Sequence, residues 1–341
     1  MRWDEQRIEN DMRLPGVGDG TVVRTFDAPE AMGIKFHEVR ARSALNHVPG
    51  GRYGFNYTVN PFRGCTHACV FCFARSSHTY LDFDAGRDFE REIVVKVNVP
   101  EVLRAELARP GWKRDLVALG TNTDPYQWVE SRYRFMPEIL AALEAADTPV
   151  SVLTKSPLAL RDIDLFERMA KRLPVSVNLS VPTLDEEAWR ATEPHTPSPA
   201  ARLDAVAELR SRGIDSGVLI APLMPGINDS PEQVRPIVER AKQANATFLG
   251  GVALHLRGEV RDVFFGWLET KRPDLLPRYE QLYSGKRAYM RLEQRKQATQ
   301  AVRGWGRGRR LGSSSARSAS PAGGGAGGTA PTGPASQERL F

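Results

Sequence analysis

The stretch NPFRGCTHACVFCFAR, residues 60–75, contains all three cysteines of this 341-residue chain. Cys65, Cys69 and Cys72 follow the spacing C-x3-C-x2-C. A loop this short can bring three thiolates to one metal centre without help from distant parts of the chain. The spacing therefore predicts a metal site within a single loop, and the fold has to hold that loop.

The number of cysteines narrows the kind of metal site. Three thiolates can hold three irons of a four-iron four-sulfur cluster and leave the fourth iron open, whereas ferredoxin-type electron carriers supply a fourth cysteine. The alternative is a structural zinc site completed by His67 or His78, although structural zinc prefers two separated ligand pairs. A disulfide would leave an odd thiol in a chain with no sign of secretion.

Composition and charge set limits on the protein class. With 41% hydrophobic and 26% charged residues, the chain can bury a sizeable core. It has no apolar run of signal-peptide length and no stretch of about 20 apolar residues, so we expect a cytoplasmic protein with no membrane segment. Five of the six net positive charges fall on residues 303–341. The nearly neutral remainder shows no electrostatic footprint of DNA binding.

Composition also predicts four segments along the chain. Residues 1–50 are polar and rich in turn signals, which predicts an irregular leader packed on the body. Residues 51–256 form the predicted core, and residues 257–303 a helical extension. Residues 304–341 are rich in Gly, Ser, Ala, Pro and Arg, which predicts disorder. This tail suits either sequence-tolerant nucleic-acid binding or a solubilising role.

The core region predicts an α/β fold. Six short strands, interpreted as apolar on both faces, are expected near residues 57, 117, 151, 178, 219 and 251, with helices of about a dozen residues between most of them. This pattern predicts parallel strands covered by helices, and six strands suit a partial (β/α)6 TIM-like barrel better than a full eightfold one. The active site of such a fold lies at the carboxyl ends of the strands, where the loops of this chain are unusually polar.

Four motifs together resemble one family. They are NPFRGCxxxCxFC, GTNTDPYQ at 120–127, LTKS at 153–156 and TEPHTP at 192–197. Their combination resembles the spore-photoproduct-lyase-like branch of the radical S-adenosylmethionine (SAM) proteins, which are often labelled DNA repair photolyases. The resemblance implies an enzyme whose four-iron four-sulfur cluster reductively cleaves SAM, giving a 5′-deoxyadenosyl radical that takes hydrogen from a substrate. DNA or RNA is the leading substrate that it implies, with ferredoxin or flavodoxin as electron donor.

The same resemblance implies roles for individual residues, while catalytic residues beyond the cofactor site stay unassigned. It makes Cys65, Cys69 and Cys72 the metal ligands, Phe71 a neighbour of the adenine, Thr121, Asn122 and Thr123 the loop at the methionine end, and Lys155 and Ser180 the contacts to carboxylate and ribose. The cation of Lys155 suits the SAM carboxylate as a point charge. Apart from the resemblance, His195 is either a further site residue or an ordinary loop residue, and Asp124 is a candidate cap for a neighbouring helix.

The chain also departs from the photoproduct lyases. Thr121 stands where those enzymes have a cysteine that returns a hydrogen atom to the product. Phe71 and Phe73 stand where they have tyrosines. We therefore expect a reaction other than repair of spore photoproduct. The alternative hypothesis is a zinc-stabilised nucleic-acid-binding protein without catalysis.

Overall fold

The chain folds into two β-sheets with helices packed against them, and the computed structural model describes residues 6–9, 21–49 and 54–303. The strands are β1 Gln6–Glu9, β2 Val22–Phe26, β3 Lys35–Val39, β4 Leu45–His47, β5 Tyr57–Val59, β6 Phe62–Arg63, β7 Glu92–Lys96, β8 Val117–Leu119, β9 Val150–Thr154, β10 Val175–Ser180, β11 Gly217–Leu223 and β12 Phe248–Ala253. The helices are α1 Asp88–Arg91, α2 Val99–Leu107, α3 Glu130–Tyr133, α4 Phe135–Ala145, α5 Ile163–Ala170, α6 Glu186–Thr192, α7 Pro199–Ser211, α8 Pro231–Gln243, α9 Glu259–Lys271, α10 Leu276–Leu282, α11 Leu292–Ala298 and α12 Gln300–Arg303.

The larger sheet has seven strands in the order β12-β11-β10-β9-β8-β5-β4. Six of them, β5 and β8 to β12, are parallel to their neighbours, and β4 runs antiparallel to β5 at one end. These six strands lie at the predicted positions, which confirms the partial TIM-like barrel of the α/β class. Within the described part of the chain β4 and β12 are not paired, so the sheet does not close on itself.

Helices cover the outer face of this sheet. Val150 and Val152 of β9 and Val177 of β10 are fully or almost fully buried, in one core with residues from α2, α4, α7 and α8. The helix starts follow from the sequence. Ser198 and Ser230 accept hydrogen bonds from backbone N–H groups in the first turns of α7 and α8, and a proline follows each serine.

The smaller sheet corrects one prediction. Its order is β1-β2-β3-β7-β6, and β4 belongs to the larger sheet, so the expectation of an irregular leader over residues 1–50 is wrong for β1 to β4. The many polar residues of these strands obscure the alternation of apolar and polar residues that predicts a strand. Val23, Phe26 and Phe36 are buried, while Arg24 and Glu38 between them form an ion pair across the two strands. A strand with one polar and one buried face resembles a polar loop when its apolar residues are few.

The carboxyl-terminal helices pack beside the cysteines. Val260 and Phe264 of α9 and Tyr279 of α10 form a second core with Cys69 and Phe71. The predicted helical extension over residues 257–303 contains α9 to α12, of which α11 begins at residue 292 and α12 at residue 300. The predicted disordered tail, 304–341, lies outside the described residues. Where the structure describes the chain, no helix is long and apolar enough to cross a bilayer.

Candidate active site

The three cysteines lie on the cysteine loop, residues 64–74, which follows β6. Gly64 opens the loop with φ of 83°, and a Cβ there would come within 2.8 Å of the carbonyl oxygen of Phe89. Glycine is therefore required at this turn. The amide of Cys65 then donates to that same carbonyl at 3.0 Å, which ties the loop to α1.

A buried arginine holds the cysteine loop in shape. The guanidinium of Arg75 donates to the carbonyl oxygens of Ala68 at 3.1 Å and Cys69 at 3.0 Å. It also donates to Ala85 at 3.0 Å and forms an ion pair with Glu90. Arg75 is only 2% exposed. One side chain thus satisfies several loop carbonyls that would otherwise be unpaired away from water.

The three thiols are free of disulfides, and burial raises the pKa of each above the ordinary value. Without a metal they are therefore protonated at neutral pH. His78, one possible fourth zinc ligand, already bonds the carbonyl oxygen of Glu92 through Nε2 at 2.8 Å. Among the described residues no three His, Cys, Asp or Glu side chains are arranged to hold a metal ion. The ligand role of the cysteines rests on donor chemistry and stays a prediction.

The loop after β8 packs against the cysteine loop. The hydroxyl of Thr123 donates to the carbonyl oxygen of Gly64 at 2.7 Å, so it braces the cysteine loop. Gln127, which is fully buried, donates to the same oxygen at 3.1 Å and accepts from the amide of Thr66 at 2.9 Å. Thr121 and Asn122 are half-buried.

Asp124 joins this loop to the end of β9. Its carboxylate accepts from the hydroxyl of Thr154 at 2.6 Å and from the amide of Lys155 at 2.7 Å. It does not cap a helix by these bonds, contrary to the expectation. His67 of the cysteine loop lies 3.4 Å from the same carboxylate, and burial lowers the pKa of this imidazole.

Lys155 lies at the centre of the site. Its ammonium donates to the hydroxyl of Ser180 at 2.9 Å and lies 2.8 Å from a carboxylate oxygen of Glu193. It also lies 5.5 Å from the centre of the Phe71 ring, within cation–π range. The structure therefore brings together Phe71, Lys155 and Ser180, three of the residues to which the resemblance gives roles, at the carboxyl ends of β9 and β10.

Glu193 is the residue that sequence reasoning missed. Its second oxygen lies 2.8 Å from the guanidinium of Arg202, and both side chains are fully buried. Burial alone would raise the pKa of Glu193, but the charges of Lys155 and Arg202 outweigh burial and hold that pKa below its ordinary value. His195, the residue singled out in the same motif, is exposed.

The family model of the radical SAM superfamily matches residues 59–251, more than half of the chain. The protein belongs to the radical SAM superfamily. Membership makes it an enzyme and implies SAM and an iron–sulfur cluster as cofactors. The matched region begins at the last residue of β5 and covers the cysteine loop, Lys155 and Glu193.

Relatives of this radical SAM protein span different organisms. An uncharacterized protein of Mycobacterium tuberculosis is 47% identical over 290 residues, which covers 83% of this chain and 85% of the relative. A radical SAM Nalpha-GlyT isomerase of Pseudomonas phage M6 is 28% identical over 186 residues, covering 53% of this chain and 36% of the relative. Spore photoproduct lyase complexed with dinucleoside spore photoproduct shares the fold, with a TM-score of 0.61 at 14% identity over 79% of this chain and 78% of the lyase.

The site residues suit the cofactors of the radical SAM superfamily. Three free thiols on one ordered loop form a donor set for iron, because thiolates are the usual ligands of iron–sulfur clusters. Beside them, Lys155 offers a cation for a carboxylate and Ser180 a hydroxyl for a polar partner. The positive side chains of Lys155 and Arg202 share the carboxylate of Glu193, while the carboxylate of Asp124 is held by the hydroxyl of Thr154 and the amide of Lys155.

Proposed function

We propose that the protein is a radical SAM enzyme in which Cys65, Cys69 and Cys72 hold a four-iron four-sulfur cluster and Lys155 binds the carboxylate of SAM. The observation that carries the proposal is the position of Lys155. Its ammonium lies over Phe71, one residue before Cys72, and is held by Ser180 and Glu193. A cofactor bound next to the cysteine loop therefore meets a fixed positive charge.

The remaining roles follow from this placement. Phe71 offers a buried aromatic ring for the adenine, and Ser180 a hydroxyl for the ribose. Thr121 and Asn122 are the polar side chains of the β8 loop that remain for the methionine end. Bound together, the cluster and SAM supply the one-electron cleavage of the sulfonium to methionine and a 5′-deoxyadenosyl radical that takes hydrogen from the substrate. The protein supplies position, charge and exclusion of water.

We further propose a nucleic acid as the substrate. A solved structure with the same fold, that of a spore photoproduct lyase, is complexed with dinucleoside spore photoproduct, which supports this class. The departures at Thr121, Phe71 and Phe73 favour a reaction other than repair of that lesion. A ferredoxin or flavodoxin is the proposed source of the electron.

Anaerobic reconstitution tests the chemistry. The protein is loaded with iron and sulfide, reduced with dithionite in the presence of SAM, and assayed for 5′-deoxyadenosine. We expect about four irons per chain and a brown colour. We expect 5′-deoxyadenosine only while the cysteine triad is intact, so Cys69→Ala abolishes it. Ser211→Ala, on the exposed end of α7, is the matched control and keeps the activity.

A different metal content would overturn the proposal. A structural zinc site would give one zinc per chain, no colour and no 5′-deoxyadenosine. His78 bonds the backbone of Glu92 through Nε2, so only its Nδ1 would remain for a zinc ion.

A further inference from the structure

The loop after β8, residues 120–129, crosses the end of β9 at close range. Gly120 opens this loop with φ of 89°, and a Cβ at this position would collide with the carbonyl group of Leu153. Glycine is therefore required at the crossing, because it alone has no Cβ and tolerates this backbone conformation. The close approach places Asp124 of the loop beside the last residue of β9 and the residue that follows it.

The two faces of β9 carry different side chains. The buried face and the half-buried inner face alternate along the strand and carry, respectively, Val150, Val152 and Thr154, and then Ser151, Leu153 and Lys155. Burial alternates in the same way over residues 175–179 of β10. The expectation of strands apolar on both faces is therefore wrong for these two strands. Asp124 contacts both faces at the end of β9, through the hydroxyl of Thr154 and the amide of Lys155.

The carboxylate of Asp124 has partners on both oxygens. One oxygen accepts from the hydroxyl of Thr154 at 2.6 Å and from the amide of Tyr126 at 2.9 Å. The other accepts from the amide of Lys155 at 2.7 Å and lies 3.4 Å from Nδ1 of His67 in the cysteine loop. The side chain is only 8% exposed. A buried carboxylate satisfied in this way favours a single arrangement of the groups around it.

The loop after β8 also acts on Cys65. Gln127 of this loop bonds the residues on either side of the cysteine. The backbone amides of Asp124 and His67 donate hydrogen bonds to the sulfur of Cys65, and the negative charge of the Asp124 carboxylate raises the pKa of this thiol. Hydrogen bonds to the sulfurs and nearby charge are two of the factors that set the reduction potential of an iron–sulfur cluster. Asp124 therefore acts on a proposed cluster ligand with both its amide and its charge.

Two hydrogen bonds of one residue connect the two proposed cofactor sites. The amide of Asp124 bonds the sulfur of Cys65, and its carboxylate bonds the amide of Lys155. Cys65 belongs to the proposed cluster site, and Lys155 is the proposed contact of the SAM carboxylate. The position of one site relative to the other therefore depends on Asp124.

We propose that Asp124 is a positioning residue for both cofactors, which fixes the main chain at Lys155 for SAM binding and lowers the reduction potential of the cluster through Cys65. The proposal rests on the proposed function and adds a residue that acts through the cofactor-binding residues. A negative charge beside a cluster disfavours the form with one more electron, so it makes the reduced cluster a stronger reductant. One-electron cleavage of a sulfonium needs a strong reductant.

Asp124→Asn tests both parts of the proposal in reconstituted protein. Calorimetric titration with SAM measures its affinity, and a redox titration without SAM, followed by electron paramagnetic resonance, measures the reduction potential. We expect SAM to bind at least about tenfold more weakly, because the asparagine amide has only one oxygen where two accept at present. We expect reduction of the cluster to become about tenfold more favourable, roughly 59 mV for one electron, because a negative charge is lost.

Two further variants separate this role from a general effect on the fold. Asp162→Asn changes another buried carboxylate, which bonds Tyr126 and Arg161 and is 5% exposed. It should lower stability and leave SAM affinity and reduction potential unchanged. Thr154→Val removes the bond of 2.6 Å to Asp124 and keeps the negative charge. It should weaken SAM binding and leave the reduction potential at the wild-type value, which separates position from charge.

The outcomes distinguish this proposal from the proposed function. Unchanged SAM affinity or unchanged potential in Asp124→Asn at wild-type iron content overturns the role of Asp124, and so do equal shifts in Asp162→Asn. If Asp124→Asn binds no iron, Thr154→Val decides: weaker SAM binding supports the role, and wild-type affinity overturns it. Formation of 5′-deoxyadenosine by the wild type tests the proposed function independently. A wild type that binds no iron–sulfur cluster overturns both proposals.

Discussion

The carboxylate of Glu193 lies 2.8 Å from the guanidinium of Arg202, and neither side chain is exposed. The other oxygen of Glu193 lies 2.8 Å from the ammonium of Lys155. One buried carboxylate thus balances two cations, and it fixes the place of the charge that we assign to SAM binding. Arg202 in turn donates to the carbonyl oxygen of Ser180 at 2.9 Å, so the same group links β10 to α7.

Replacement of Glu193 by glutamine tests this balance. We expect Glu193→Gln to lower the free energy of unfolding by about 3 kcal/mol, because it leaves the buried guanidinium of Arg202 without a counter-ion. Denaturant unfolding monitored by circular dichroism gives the value. Glu186→Gln is the matched control, because Glu186 pairs with Arg190 on the exposed surface of α6 and exposed pairs contribute well under 1 kcal/mol. Equal changes in unfolding free energy for Glu193→Gln and Glu186→Gln would refute the role of Glu193 as the buried counter-ion.

Lys155 is expected to act on SAM rather than on the cluster. Lys155→Met should weaken SAM binding by about 10- to 100-fold, the usual range for a lost hydrogen bond to a charged group. Iron content should stay at the wild-type level. The SAM dependence of 5′-deoxyadenosine formation gives the affinity. Lys171→Met changes an exposed lysine of an i,i+4 pair and should have no effect. An unaltered SAM dependence in Lys155→Met would contradict the assignment.

Gln127 is expected to stabilise the cysteine loop. Gln127→Leu keeps the size of the side chain but removes its bonds to Gly64 and Thr66. We expect a loss of about 2 kcal/mol in unfolding free energy, because a buried backbone amide and carbonyl lose a partner. Iron release to a chelator should also become faster. Gln243→Leu, at the exposed end of α8, is the control. The role would be disproved by wild-type stability and iron release in Gln127→Leu.

Glu130 should make stability depend on pH. Burial raises its pKa to about 7, although it accepts bonds from Arg161 and from the amides of Met136 and Phe135. The folded state therefore binds this proton more tightly than the unfolded chain. The stabilisation is complete below pH 4.5 and is lost as the pH rises to about 7, a change of about 3 kcal/mol. In Glu130→Gln this part of the pH dependence should vanish.

Thermal or denaturant unfolding at several pH values measures the difference between the wild type and Glu130→Gln. Other groups titrate in both proteins and cancel in this difference. Parallel curves for the two proteins between pH 4.5 and 7 would show that Glu130 has an ordinary pKa. Glu138→Gln, on the exposed side of α4, supplies a control for loss of a carboxylate as such.

The parallel strands could be predicted from the sequence because their outer faces are uniformly apolar. Val150, Val152, Val175 and Val177 alternate with other residues, and helices of regular length follow them. The inner face was not predictable in the same way. Ser151 and Ser176 carry no signal that distinguishes a polar inner face from an ordinary strand interrupted by serine. That distinction depends on which strands are neighbours, and register is not visible in a single segment.

The buried ion pair of Glu193 and Arg202 was also not predictable from the sequence. Glutamate and arginine are rarely fully buried unless they are paired, so Glu193 and Arg202 read as surface residues. Their pairing becomes evident only when Glu193, which follows α6, lies beside Arg202 of α7 at the end of β10. His195 of the same motif was chosen as the candidate site residue because histidine is a common catalytic side chain, but it is exposed. The cysteines and Lys155 were identifiable from their motifs and Ser180 from the resemblance to the family, and the roles of all of them stay predictions.

The hydrogen bonds of Arg75 to the cysteine loop have a consequence for the protein after its cluster is lost to oxidation by oxygen. A loop ordered by a protein side chain has already lost its conformational freedom when the polypeptide folds, so that cost does not recur when iron arrives. Oxidative destruction of a cluster would then leave the polypeptide folded and recognisable to whatever delivers iron and sulfide. We expect such a protein to take up a new cluster many times during its lifetime. A protein whose cysteine loop folds only around the metal would instead unfold and be degraded.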